Sequence, residues 1–114
     1  MRALISGSRT FTDYEKFKTV MENEGVTVIV HGKNPRGADA LAKKYAEEKG
    51  LPCFECPANW DYYKKAAGPI RNRWMLDHFP VDIVIAFPTE ESVGTRDMIK
   101  YAEKKEVHFV VYES

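Results

Sequence analysis

Short apolar runs alternate with longer segments of helical periodicity along the whole chain. The clearest helix is predicted from Gly37 to Lys49, where Leu41, Tyr45 and several alanines recur at spacings of three and four and Gly50 ends the pattern. The clearest strand is the continuous apolar run from Val81 to Phe87, which is typical of a buried central strand. This alternation predicts parallel strands that are joined by crossover helices, and therefore an α/β fold.

The other predicted elements continue the alternation. Strands are predicted at Ala3 to Ser6, Val26 to His31, Leu51 to Cys56 and Val107 to Tyr112, and helices at Asp13 to Glu24, Gly68 to His78 and Gly94 to Lys105. Five parallel strands with four crossovers give a three-layer α/β/α sandwich, for which we expect strand order 3-2-1-4-5. The 114 residues, 44% of them hydrophobic, suffice for one core, so we expect a single domain over residues 1–114.

The charge balance restricts the partners. With 17 basic and 17 acidic residues the net charge is zero, so no general attraction to nucleic acid or to an anionic membrane is expected. The N-terminal residues lack the apolar core of a signal peptide, and no run approaches the ~18 apolar residues of a membrane span. We therefore expect a soluble, cytoplasmic protein that binds a small molecule.

Cys53 and Cys56 have the spacing of a redox motif or of half a zinc site. Positions three apart in a strand point to opposite faces, and no second Cys or His pair nearby completes a tetrahedral site. We interpret them as two ordinary reduced thiols, and we expect neither a metal nor a cofactor.

The unusual residues follow the carboxyl ends of the predicted strands, which share one edge of the sheet and bind ligands in open α/β proteins. After the first strand come Gly7, Ser8 and Arg9. Glycine permits close backbone approach, and the hydroxyl and the guanidinium can bind a phosphate or a carboxylate.

The loop after the second strand runs from His31 and Gly32 to Gly37, Ala38 and Asp39, where a helix begins. Free backbone N–H groups at a helix start suit an anion. Asp39 either caps this helix or contacts the ligand. His31 is either a general acid or base or a residue that simply hydrogen-bonds at the end of the strand.

The third loop is aromatic. Trp60 either stacks on a base or packs in the core. On the following helix, which Gly68 begins, Arg71 and Asn72 supply charge and amide recognition.

The same helix continues with Trp74 and Met75, which we predict to face the core. The faces around Trp74 and Tyr101 are also those on which a second copy of the chain would dock, so the sequence leaves self-association open.

The fourth loop brings Ser92, Gly94 and Thr95 to another helix start, which predicts a second site for an anion. The nearest carboxylates either take part in chemistry or are solvated loop charges: Glu90, Glu91 and Asp97.

Together these motifs resemble the YspA-related group of the SLOG superfamily, also called the DUF2493 family. The resemblance covers essentially the full chain and rests on Gly7-Ser8-Arg9, on His31-Gly32 with Gly37-Ala38-Asp39, on Pro57-Ala58-x-Trp60 with Ala67-Gly68-Pro69-x-Arg71-Asn72-x-x-Met75, and on Ala86-Phe87 followed by Ser92-x-Gly94-Thr95. It implies a Rossmann-like fold and a nucleotide or nucleotide-derived ligand.

Relatives of this group include the LOG cytokinin-activating phosphoribohydrolases and the DNA-processing protein DprA. The LOG likeness implies hydrolysis of an N-glycosidic bond, with Arg71 on the phosphate and Asp97 stabilising the oxocarbenium-like transition state. LOG enzymes carry Pro-Gly-Gly-x-Gly-Thr, whereas the loop before Thr95 is two residues longer and lacks both middle glycines. Lys64 stands where the group usually has glycine, so we expect the aromatic loop to bend differently.

Our first hypothesis is a module that binds an ADP-ribose- or NAD-like nucleotide, and the alternative is a LOG-like phosphoribohydrolase. A DNA-binding role of the DprA kind is disfavoured because the chain has no net charge. The expected ligand contacts are Gly7, Ser8, Arg9, His31, Gly32, Gly37, Ala38, Asp39, Trp60, Gly68, Arg71, Asn72, Ser92, Gly94 and Thr95.

Overall fold

The computed structural model describes residues 1–89 and 93–113. Within them, five parallel strands form one sheet in the order β3-β2-β1-β4-β5, which confirms the predicted topology. The strands are β1 (Arg2–Gly7), β2 (Val28–His31), β3 (Cys53–Glu55), β4 (Ile83–Phe87) and β5 (Phe109–Val111). The helices are α1 (Tyr14–Asn23), α2 (Ala38–Lys49), α3 (Trp60–Tyr63), α4 (Ala67–His78) and α5 (Val93–Lys104), and a 3₁₀ turn, Lys64–Ala66, joins α3 to α4.

Strands β2, β3 and β5 begin after the first residues of their apolar runs because the first residue of each run still hydrogen-bonds back to the end of the preceding helix. The backbone N–H groups of Val26, Leu51 and Val107 each donate to a carbonyl five residues earlier, at 2.9–3.1 Å. This is the bond that closes a Schellman-type helix end. The residue before each has a positive φ; it is glycine in two cases and Glu106, at φ 58°, in the third.

Two helices cover each face of the sheet. On one face, α1 and α2 enclose a core in which the Phe17 and Phe87 rings lie 5.1 Å apart. On the other face, α4 and α5 pack Met75 and Met98 against β1 and β4. The prediction that Met75 faces the core is confirmed. That for Trp74 is wrong: its side chain is 48% exposed because it lies on the outer side of α4, stacked on His78.

The arrangement of the connections creates a crevice at one edge of the sheet. Strands β1 and β4 are neighbours, with Gly7 paired with Phe87, but β1 leads to α1 on one face and β4 leads to α5 on the other. The loops that follow these strands therefore diverge, which is the usual position of a ligand site in an open α/β sheet. Among the described residues, no helix is long and apolar enough to cross a membrane.

Candidate functional site

A cavity of about 710 Å³ lies at this crevice. Most of the predicted contact residues line it: Gly7, Ser8, Arg9, Gly32, Asp39, Trp60, Gly68, Arg71, Asn72, Gly94 and Thr95. Sequence reasoning missed Ile5, Ser6, Thr10, Asn34, Lys65, Pro69, Met75, Thr89 and Val93. Loops from four strands therefore meet at one space, as the sequence predicts.

Three predicted contacts, Gly37, Ala38 and His31, lie behind the cavity wall. Gly37 has φ 70°, and a Cβ at this position would meet the Ser8 carbonyl and lie 2.5 Å from Arg9 Cα. The Ala38 N–H donates to the Ser8 carbonyl at 3.2 Å. These residues therefore hold the start of α2 against the β1 loop. The fourth predicted contact, Ser92, lies outside the described residues, as do the predicted carboxylates Glu90 and Glu91.

Three N–H groups of the loop between β2 and α2 donate to side chains of the same segment. The N–H of Lys33 donates to His31 Nδ1 at 3.0 Å, that of Asn34 to Asp39 Oδ2 at 3.1 Å, and that of Arg36 to Asn34 Oδ1 at 3.1 Å. These three N–H groups are therefore already used within the segment and are not available to an anion.

His31 is 1% exposed, and burial lowers its pKa to about 4. Its ring is therefore neutral at pH 7, and because Nδ1 accepts from Lys33, the proton is assigned to Nε2. Nε2 has no hydrogen-bond partner among the described residues. This placement fits the hydrogen-bonding role that the sequence left open.

Asp39 lines the cavity and is 8% exposed. It does not cap α2, because Gly37 occupies the N-cap position without a side-chain bond. Burial raises the pKa of the Asp39 carboxyl to about 6, although the N–H groups of Asn34 and Gly32 and the charge of Arg71 act in the opposite direction.

Arg71 ties three elements together. Its Nη1 donates to the carbonyls of Gly32 and Cys56, the latter at 3.2 Å, and its Nε donates to Asn72 Oδ1 at 2.8 Å. The ends of β2 and β3 are thereby joined to α4. Nη2 has no hydrogen-bond partner within the described ranges, and Arg71 lines the cavity.

A cluster of hydroxyl groups lies between the ends of β1 and β4. Ser8 Oγ is 2.8 Å from Thr10 Oγ1 and accepts from Thr89 Oγ1 at 2.8 Å. The Thr10 N–H also donates to Ser8 Oγ at 3.1 Å, which is a turn that the Ser-x-Thr spacing could have indicated. The position of Thr89 depends on the pairing of β1 with β4, so no local signal predicts it.

Trp60 is 47% exposed, so it is not a core residue. The Arg9 guanidinium carbon lies 5.9 Å from the centre of its ring, and Gly68 approaches the six-membered part of the indole so closely that a Cβ there would be 3.3 Å from Cη2. Asn59 accepts from the Tyr62 N–H at 3.2 Å and thereby begins the short helix that carries the ring. Lys64 ends it at φ 54° and ψ −130°, which is a conformation that glycine adopts readily.

Of the two predicted catalytic residues, Arg71 lines the cavity and Asp97 does not. The Asp97 Oδ1 lies 3.1 Å from Arg73 Nη2, in an ion pair between α5 and α4.

Cys53 and Cys56 are free thiols, and burial raises the pKa of both.

The charges of the cavity favour an anion. Arg9, Lys65 and Arg71 line it, and in the described part of the chain Asp39 is the only acidic residue that does so. Both α4 and α5 begin at the cavity, so the positive ends of two helix dipoles face it. Fold and site together define an open α/β protein with a crevice at the switch point of its sheet, and the described charges that line this crevice are mostly cationic.

The chain belongs to the YspA, cpYpsA-related SLOG family. A sequence model of that family matches residues 1–63. The chain is also 34% identical, over 114 residues, to the Gene 61 protein of Mycobacterium phage D29, a match that covers 90% of this chain and 89% of that protein. No solved structure matches the chain significantly.

Proposed function

We propose that the cavity binds a nucleotide or a nucleotide-derived molecule, such as an ADP-ribose or NAD derivative, which the protein senses or sequesters. The composition of the cavity wall carries this proposal: an exposed indole and three cationic side chains face one space of about 710 Å³. A base can stack on the Trp60 ring, and phosphate groups can bind the cations. A space of this size is typical of small-molecule sites.

The start of α5 is the best position for a phosphate group. Val93, Gly94 and Thr95 line the cavity in the first turn of this helix, where N–H groups and the helix dipole favour an anion. Thr95 is 5% exposed, and its hydroxyl has no hydrogen-bond partner among the described residues. It can therefore donate to a ligand, and the hydroxyl-bearing residues Ser8 and Thr10 line the same cavity.

The LOG-like alternative requires a carboxylate beside the N-glycosidic bond that breaks. Asp97 was the candidate, and its contact with Arg73 keeps it outside the cavity. This placement supports binding over hydrolysis.

The two tryptophans of the chain provide a matched test. Trp60 and Trp74 are almost equally exposed, at 47% and 48%, but only Trp60 lines the cavity. Trp74→Phe leaves Trp60 as the single reporter, and Trp60→Phe leaves Trp74. Titration with ADP-ribose, NAD and AMP should change the fluorescence of Trp74→Phe in a saturable way and leave that of Trp60→Phe nearly constant.

No change with any of these nucleotides, or equal changes in both variants, would contradict nucleotide binding at Trp60. Chromatography of the AMP mixture distinguishes the alternative. Release of free adenine that Asp97→Asn abolishes would establish hydrolysis in place of simple binding.

A further inference from the structure

The charged groups in the described part of the cavity wall are mostly hydrogen-bond donors. Arg9, Lys65, Arg71, the amide of Asn72 and the hydroxyl of Thr95 can all donate to a ligand. Within residues 1–89 and 93–113, the only carboxylate in the wall is that of Asp39. If a ligand carries a hydrogen-bond donor as well as phosphates, the carboxylate of Asp39 is therefore the strong acceptor to which this donor can bond.

Asp39 retains acceptor capacity for such a group. A carboxylate offers about four acceptor positions. The N–H of Asn34 uses one at 3.1 Å from Oδ2, and the N–H of Gly32 lies close enough to influence the charge. The remaining positions belong to a side chain that is 8% exposed and lines the cavity.

A donor stands beside this acceptor. Gly32 connects Arg71 to Asp39: its carbonyl accepts from Arg71 Nη1, and its N–H is close enough to Asp39 to lower the pKa of that carboxyl. Nε and Nη1 of the guanidinium donate to protein oxygens, whereas Nη2 has no hydrogen-bond partner in the described part of the chain. This corner therefore offers one acceptor and one donor together.

A hydroxyl group matches the corner because it donates and accepts at once. A phosphate there would be repelled by the Asp39 carboxylate, and a carbonyl oxygen would use Arg71 alone. In a nucleotide, the hydroxyl groups are those of the ribose. We propose that Asp39 and Arg71 together bind a ribose hydroxyl, so that the cavity selects ribonucleotides over deoxyribonucleotides. The inference rests on the proposed function and adds the sugar as a determinant of specificity.

The test compares AMP with 2′-deoxy-AMP and 3′-deoxy-AMP by titration calorimetry on the unmodified protein. AMP should bind at least about 10-fold more tightly than one of the two analogues, because a hydrogen bond to a charged group is lost. Asp39→Asn keeps the shape and an oxygen for Asn34 but presents an amide donor to the sugar. It should weaken AMP binding and bring the ratio of affinities close to one. Asp97→Asn is the matched control, since the same chemical change outside the cavity should leave the ratio as it is.

The outcomes separate the two proposals. If none of the three nucleotides binds, and ADP-ribose does not either, the proposed function fails and this inference fails with it. Equal binding of AMP and both analogues overturns the inference alone and needs no variant. A preference for AMP that survives in Asp39→Asn also overturns it, because another group then recognises the hydroxyl.

Discussion

The buried carboxylate of Asp39 should lower the free energy of unfolding at neutral pH, and Asp39→Asn should raise it again. Burial raises the pKa of Asp39 from 3.8 to about 6. Each pH unit of such a change corresponds to about 1.36 kcal/mol, so the full cost is about 3 kcal/mol. Well below pH 3.8 the carboxyl is protonated in both states, and its burial then has no ionisation cost. Between pH 4 and 6 the folded state keeps a proton that the unfolded state has lost, so stability falls as pH rises.

His31 acts in the opposite direction over nearly the same range. Its pKa falls from 6.5 to about 4 on folding, so between pH 4 and 6.5 the unfolded state holds the additional proton and stability increases with pH. The full effect is again about 3 kcal/mol. In the unmodified protein these two slopes nearly cancel. In Asp39→Asn only the slope of His31 remains.

The measurement is urea unfolding of the unmodified protein and Asp39→Asn from pH 4 to 8, followed by tryptophan fluorescence. Groups that the two proteins share contribute equally to both, so their contributions cancel in the difference between the two free energies of unfolding. This difference should be small at pH 4 and rise to about 3 kcal/mol in favour of the variant above pH 6. A difference that is constant with pH, or a variant that is less stable at pH 7, would refute the account of Asp39 as a buried, destabilising carboxylate.

Three further predictions concern the backbone and the Arg71 contacts. Glu106→Gly should raise the free energy of unfolding by about 0.5–1 kcal/mol, since φ 58° at this helix end suits glycine; a loss of stability in urea would contradict the strain. Lys64→Gly should raise the melting temperature for the same reason, with about 1 kcal/mol expected at φ 54°, and an unchanged melting temperature would count against it. Arg71→Ala should lower the free energy of unfolding by about 3 kcal/mol because two backbone carbonyls lose a charged donor. Arg73→Ala, which breaks an exposed ion pair, should lower it by less than about 1 kcal/mol. Equally small losses for the two variants in urea unfolding would contradict a structural role for the Arg71 contacts.

The strand order and the edge that carries the cavity follow from local patterns. The apolar run at residues 83–87 and the periodicity of residues 38–49 are visible without any knowledge of distant contacts. The strand starts are less visible because Val26, Leu51 and Val107 look like strand residues but bond back to a helix. Apolar character alone does not distinguish these two roles.

The residues that line the cavity could be predicted where a residue's own loop defines its position, and were missed where distant segments meet. Ser8 and Thr89 are 81 positions apart and touch only because β1 pairs with β4 in one register. Asp97 follows Thr95 by two positions, which is enough to turn it around the helix from the cavity toward Arg73. Trp74 shows the same limit on α4, since it adjoins buried Met75 and still faces outward.

The loss of stability that Asp39 causes and its proposed contact with the ligand both depend on whether its carboxyl is protonated. A ribose hydroxyl that donates to the carboxylate favours the charged form and lowers the pKa of Asp39. Binding near pH 6, where the pKa of about 6 leaves Asp39 partly protonated, should therefore release a fraction of a proton, and binding at pH 8 should release almost none. ADP-ribose suits the measurement because its pyrophosphate does not titrate near pH 6, and calorimetry in two buffers of different ionisation enthalpy gives the number of protons. His31, whose pKa is about 4, stays neutral throughout. Proton release that persists in Asp39→Asn would assign the titration to another group and separate the stability cost of Asp39 from any role in binding.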